Sequence, residues 1–137
     1  MTYSVSAALQ QAIYERLAAD PGLEALVGTA VFDGVPPGAI PPLYVSIGEE
    51  QVTDRSDYGE RGALHEFEVA IVSDEAGFAV AKAAAGAVSD ALLSGSLTLA
   101  RGRCDGLWFR RAHARRMRRT GTRRIDLRFR ARVFDEI

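Results

Sequence analysis

The sequence predicts an α+β fold: an antiparallel β-sheet packed against two main α-helices, with a long polar hairpin loop. Three patterns carry that reading. Val5, Leu9, Ala12, Ile13 and Leu17 recur at helical spacing near the start. A second helical stripe, Phe78, Ala81, Ala85, Val88 and Leu92, lies past the middle. Apolar and polar residues alternate with period two over 43–49, 63–73 and 123–134.

The first helix spans Ser4 to Asp20, with Ser4 as its N-cap, and Pro21-Gly22 ends it. Leu23, Leu26 and Val27 suit one further turn before Gly28, and Val31-Phe32 a short extended piece. The stretch from Gly34 to Pro42 holds four of the five prolines, which excludes a helix interior or a central strand. It reads as an ordered surface connection, with too little chain before it to fold alone. Leu43 to Glu49 is a strand. Gln51 to Gly62 is polar, charged and punctuated by glycine, and reads as a long, mobile hairpin loop. In the next strand, Ala63 to Ser73, one face carries His65, Phe67, Val69 and Ile71, and the other Leu64, Glu66, Glu68 and Ala70.

Ser73-Asp74-Glu75 opens the second main helix with a cap and acids that suit the helix dipole. The helix runs to Leu93, and its many alanines permit close approach to a sheet. Leu97 and Leu99 suit a short strand, and Arg101 to Gly106 a turn region. Leu107 to Met117 is a strand with weak alternation, Arg118 to Thr122 a turn, and Arg123 to Phe134 the clearest strand of all. There Ile125, Leu127, Phe129, Ala131 and Val133 face one way, and Asp126, Arg128, Arg130 and Arg132 the other. If this strand neighbours the one holding Glu66 and Glu68, the outward charges form cross-strand ion pairs.

A chain of 137 residues, 47% of them apolar, suits one domain with a real core. It has no run of 18 apolar residues, so no membrane span or membrane partner is expected. The first basic residue is Arg16, which argues against a secretory signal and for a protein made and kept in the cytoplasm or built into a particle there. A single cysteine, Cys104, excludes an internal disulfide.

Charge is unevenly placed. Residues 101–137 hold 13 arginines against four acids, a balance of +9. Residues 1–100 hold four bases against 14 acids, a balance of −10. The net of −1 hides this polarity. The run Arg110 to Arg119 offers charged forks to phosphates, with Trp108 and Phe109 beside it for base stacking. The same run equally suits a solvated or subunit-facing hairpin whose arginines pair with acids, which the chain supplies in excess.

No catalytic, cofactor-binding or metal-binding residue is expected. The acids of the 51–62 loop (Asp54, Asp57, Glu60) lack the alternate-position pattern and central glycine of a Ca²⁺ loop. The glycines match no phosphate-binding loop, and no nucleophile-elbow signature occurs. His65, on the core side of its strand, reads as a structural histidine, and Cys104 has no histidine near it in sequence. The chain is expected not to be an enzyme.

The layout itself is familiar. An N-terminal helix runs into LAADPGLEALVGTAVFDGVPPGAIPPLYVSIGEE (Leu17 to Glu50). After a polar loop comes HEFEVAIVSDEAGFAVAKAAAGAVSDAL (His65 to Leu92), and the chain closes on RRIDLRFRARVFD (Arg123 to Asp135). This resembles the tail-completion, or tail-terminator, proteins of long-tailed phages and of phage-derived gene transfer agents. The resemblance implies an α+β fold and a hexameric ring. That ring caps the head-proximal end of the tail tube, stops tube polymerisation and gives the head-side connector a docking surface, while double-stranded DNA passes through its centre. It implies no cofactor. It places the protein in the cytoplasm during assembly and then at the head–tail junction of a virion or gene transfer agent particle. Ring contacts in such proteins come from loops and hairpins. Here these would be Asp54, Arg55, Asp57, Tyr58, Glu60 and Arg61 in one loop, and Arg115, Arg116, Arg118 and Arg119 in the Arg-rich hairpin. Arg110 and Arg111 are the candidate DNA-channel contacts. The alternative is a small nucleic-acid-binding module built on that hairpin.

Overall fold

Residues 3–56 and 61–136 are described by the computed structural model. Two helices come first, α1 (Ser6–Ala18) and α2 (Pro21–Val27). Strands β1 (Val31–Asp33), β2 (Leu43–Asp54) and β3 (Gly62–Ser73) follow. Helix α3 (Ala79–Leu93) leads to β4 (Arg103–Arg116) and β5 (Arg123–Phe134). Among the described residues the five strands form one sheet in the order β1-β2-β3-β5-β4. β2, β3, β5 and β4 pair antiparallel, as expected. The three residues of β1 join β2 in parallel, so the sheet is mixed rather than wholly antiparallel.

The apolar stripes read from the sequence are the core. Leu9, Ala12, Ile13 and Leu17 of α1 and Ala81, Ala85, Val88 and Leu92 of α3 are buried against Phe67, Val69 and Ile71 of β3 and Ile125, Leu127 and Phe129 of β5. Phe129 sits at the middle, stacked on Phe67 (ring centroids 5.6 Å apart) and met edge-on by Phe109 (5.9 Å). Because side chains alternate across a strand, this packing leaves Glu66, Glu68, Arg128 and Arg130 on the opposite, outer face.

Several boundaries differ from the expectation. α1 starts at Ser6, with Val5 rather than Ser4 at the N-cap position. The capped start is instead that of α2, where the Asp20 carboxylate accepts from the Leu23 amide at 2.9 Å and Pro21 fills the first helical position. β2 runs on through Gln51–Asp54, so the polar loop is shorter than expected, and a bulge between Ile47 and Glu50 shifts its register against β3. Ser73 ends β3, and its hydroxyl accepts from the Glu75 amide in a turn (3.1 Å), whereas α3 starts only at Ala79. Leu97 and Leu99 form no strand; the link only has to bury Leu97. Arg103 to Gly106 belongs to β4, not to a turn. The turn over Arg118 to Thr122 is as expected, with Gly121 at φ 74°.

Candidate interaction surfaces

The outer face of the sheet carries a charge ladder that the strand alternation foretold. β3 and β5 are neighbours in a register that sets Glu66 opposite Arg130 and Glu68 opposite Arg128. The ion pairs close at 2.7 and 3.1 Å. Asp126 extends the ladder to Arg124 (2.8 Å) and Arg115 (3.3 Å). The Arg130 hydrogen bond holds the Glu66 carboxyl below the usual range. Glu68 moves the other way, pushed up by burial and by its neighbour Asp126. At the ends of β4 and β5, Arg101 grips Asp135 (2.8 Å) and Arg103 pairs with Glu136.

This ladder sets part of the charge polarity off within one molecule. Arg123 donates to carbonyls and Arg132 stacks on Phe134 instead, and Arg110, Arg111, Arg116, Arg118 and Arg119 make no ion-pair contact among the described residues. All five are exposed. Three lie on β4, which is an edge strand, and two in the turn that follows it. Trp108 and Phe109 on the same strand are 47% and 46% exposed.

Trp108 borders a cleft of about 620 Å³ on the outer face, with Arg55, Leu64, Arg110, Arg130 and Arg132 around it. Gly106 lies against the Trp108 ring. A Cβ there would lie within 2.6 Å of the indole ring, so glycine is what lets the ring lie across the strand. Arg132 is stacked on Phe134, its guanidinium 5.1 Å from the ring centroid. The cleft thus offers cationic forks beside a flat aromatic face.

The structure brings the candidate loop and the Arg run only partly together. Arg55 shares the cleft with Arg110, whereas Arg115 is drawn to Asp126. Asp54 ends β2, and its carboxylate is held low by hydrogen bonds from Ser56. Arg61 is exposed beside β3, its carbonyl accepting from the Asp135 amide. Asp57, Tyr58 and Glu60 lie outside the described residues.

A buried polar cluster escaped sequence reasoning. Glu50 sits at the β2 bulge, where it accepts from Tyr3 (2.5 Å) and from Ser6 (2.8 Å) and meets His65 Nδ1 at 3.2 Å. His65 is fully buried, and its Nε2 has no partner among the described residues. We assign the Nδ1–H tautomer, which leaves Nε2 a bare acceptor, cheaper to bury than a bare donor. The cluster ties the start of α1 to β2 and β3. His65 was legible as a core histidine; its partner was not, because the bulge alone turns Glu50 toward it.

Among the described residues no group of three or more His, Cys, Asp or Glu is placed to hold a metal ion. No helix among them is long and apolar enough to cross a membrane. Burial pushes the Cys104 thiol up, away from a reactive thiolate.

The comparisons with known proteins agree with this layout. The family described as tail completion protein gp17 matches residues 11–134. Among solved structures, a chain from the structure described as the virion of a native gene transfer agent (GTA) particle is 57% identical. The match covers 97% of this chain and 99% of that one, with a TM-score of 0.91. No curated protein matches. With the family matched over nearly its whole length, the chain belongs to the tail completion protein gp17 family and is a structural protein of a phage-like tail.

Proposed function

We propose that this protein closes into a hexameric ring on the head-proximal end of a tail tube. There it ends tube polymerisation and joins the tail to the head-side connector. It acts by shape and charge, without catalysis or cofactor. Its partners are further copies of itself, the tail-tube protein and the connector, and double-stranded DNA passes through the ring. It assembles in the cytoplasm and then resides at the head–tail junction. The observation that carries this reading is the near full-length likeness to a chain of a gene transfer agent virion. The open edge of β4 supports it, since its unpaired backbone groups give a neighbouring copy somewhere to join.

The test is assembly without the protein. Particles produced in its absence should contain tubes of uncontrolled length and heads without tails, and added protein should restore both. Tails of normal length joined to heads would sink the proposal.

The Trp108 cleft favours one further reading, that some arginines, Arg110 and Arg111 among them, touch DNA. Binding of duplex DNA that weakens steeply with salt, and that loses about one unit of log–log slope per arginine removed, would support it.

A further inference from the structure

The sheet order sets arginines of β4 that lack an ion pair and the acid Asp33 of β1 on opposite flanks. β4 forms one edge and β1 the other. Along 109–116 every residue of β4 is exposed. That includes Ala112 and Ala114, although their pairing partners Leu127 and Ile125 are buried. This half of the strand therefore lacks cover on its helix side, has an open backbone edge, and carries Arg111 and Arg116 without an ion-pair contact.

The other flank is its complement. A groove of about 580 Å³ runs between α1 and β1, with Gln10, Tyr14, Phe32 and Asp33 on its walls. Glu15 lies one turn along α1 from Gln11, a groove residue whose amide it accepts at 2.9 Å, and is exposed on the neighbouring face of the helix. The one base of α1, Arg16, points instead to the carbonyls of Ala91 (3.1 Å) and Ser96 (2.8 Å). Asp33 in the groove and Glu15 beside it thus make no ion-pair contact among the described residues.

We propose that the outer half of β4 in one copy seats in the α1–β1 groove of the next. The inference rests on the ring reading above and names the surfaces that would close the ring. Charge complementarity selects a second copy as occupant. Arginine forks meet the carboxylates of Asp33 and Glu15, and Tyr14 and Phe32 give the guanidinium groups flat rings to stack on. Ala112 and Ala114 are small enough to let the strand approach closely. The two patches differ, so the contact is head-to-tail. Each copy keeps one free edge and one free groove until the circle closes.

Charge exchange tests this. One variant carries Arg111→Glu and Arg116→Glu, a second Glu15→Arg and Asp33→Arg, and a third all four. All four positions are exposed, so each variant is expected to fold, which circular dichroism checks. Subunit number is read by native mass spectrometry, with the tail-tube protein added if the wild type is monomeric alone. Each two-site variant alone should lose at least tenfold of its rings. Mixed one to one, the two variants should form rings of alternating copies, since the original pair meets at one joint and the swapped pair at the next. The four-site variant should form rings again. Wild-type-like rings from either two-site variant would overturn the inference while leaving the ring reading intact. So would a mixture without rings, or a four-site variant without rings. A wild type that makes only two-fold dimers, or stays monomeric even with the tube protein, would overturn both.

Discussion

At Glu50 one carboxylate ties the first helix to the sheet, and its titration can be read in stability. Burial pushes its carboxyl up, but hydrogen bonds from Tyr3, Ser6 and His65 outweigh that and hold it below the ordinary range. A carboxyl with a depressed folded value contributes stability above its unfolded value. It loses that contribution as pH falls through the folded value. Glu50→Ala would also leave the fully buried His65 short of its partner, at a cost of about 1–3 kcal/mol. Denaturant melts should therefore separate wild type from variant at pH 7, and the gap should narrow below the ordinary glutamate range. A gap that widens in acid would refute the role given to the carboxylate. Gly106 makes a different residue-scale prediction. Trp108 is the sole tryptophan, so its fluorescence reports on the cleft alone. Gly106→Ala should push the ring off the strand, shifting the emission to the red at little cost in stability, because the clash is with the far end of a side chain. An unchanged spectrum would mean that the ring does not rest on Gly106.

At the scale of elements, what the sequence revealed depended on burial. β3 and β5 have one face against the helices, so their period-two pattern is sharp, and it named both the core residues and the outward charges that pair. β4 shows no such pattern over 109–116 because neither face is covered, which is why its alternation was weak and its start was misplaced. Gln51–Asp54 was read as loop for the same reason: this end of β2 projects toward the hairpin tip and is mostly exposed. Leu97 and Leu99 erred the other way, alternating without pairing. The Arg cluster and Trp108 were visible in composition. The α1–β1 groove was not, since it exists only once β1 has joined β2 in parallel. The outward ladder supplies this scale's prediction. Reversing Glu66 alone to Arg, or Arg130 alone to Glu, sets like charges opposite each other across the strands and should destabilise. Making both changes together should recover most of the loss, with a coupling of about 0.2–1 kcal/mol for so accessible a pair. A coupling of zero in urea melts would make the 2.7 Å contact energetically idle.

On the scale of the molecule, the decisive fact is where charge is left over after internal pairing. The −10 and +9 halves of the chain do not form two separate poles. They interleave in the sheet, where β3 acids meet β5 arginines, and the β4 edge keeps an excess of arginine. That arrangement suits orientation more than adhesion, because charges at an interface steer encounter and fix register while apolar packing supplies affinity. Salt should then act on the rate at which copies join. Raising ionic strength from about 0.1 M to about 1 M shortens the screening length from about 10 Å to about 3 Å. If the β4 edge finds the α1–β1 groove electrostatically, the association rate should fall about tenfold or more over that range, with the dissociation rate changing far less. Light-scattering stopped flow on mixing and on dilution separates the two rates. Assembly that speeds up with salt would instead point to an apolar contact held back by repulsion, and would remove the arginine edge from the joint.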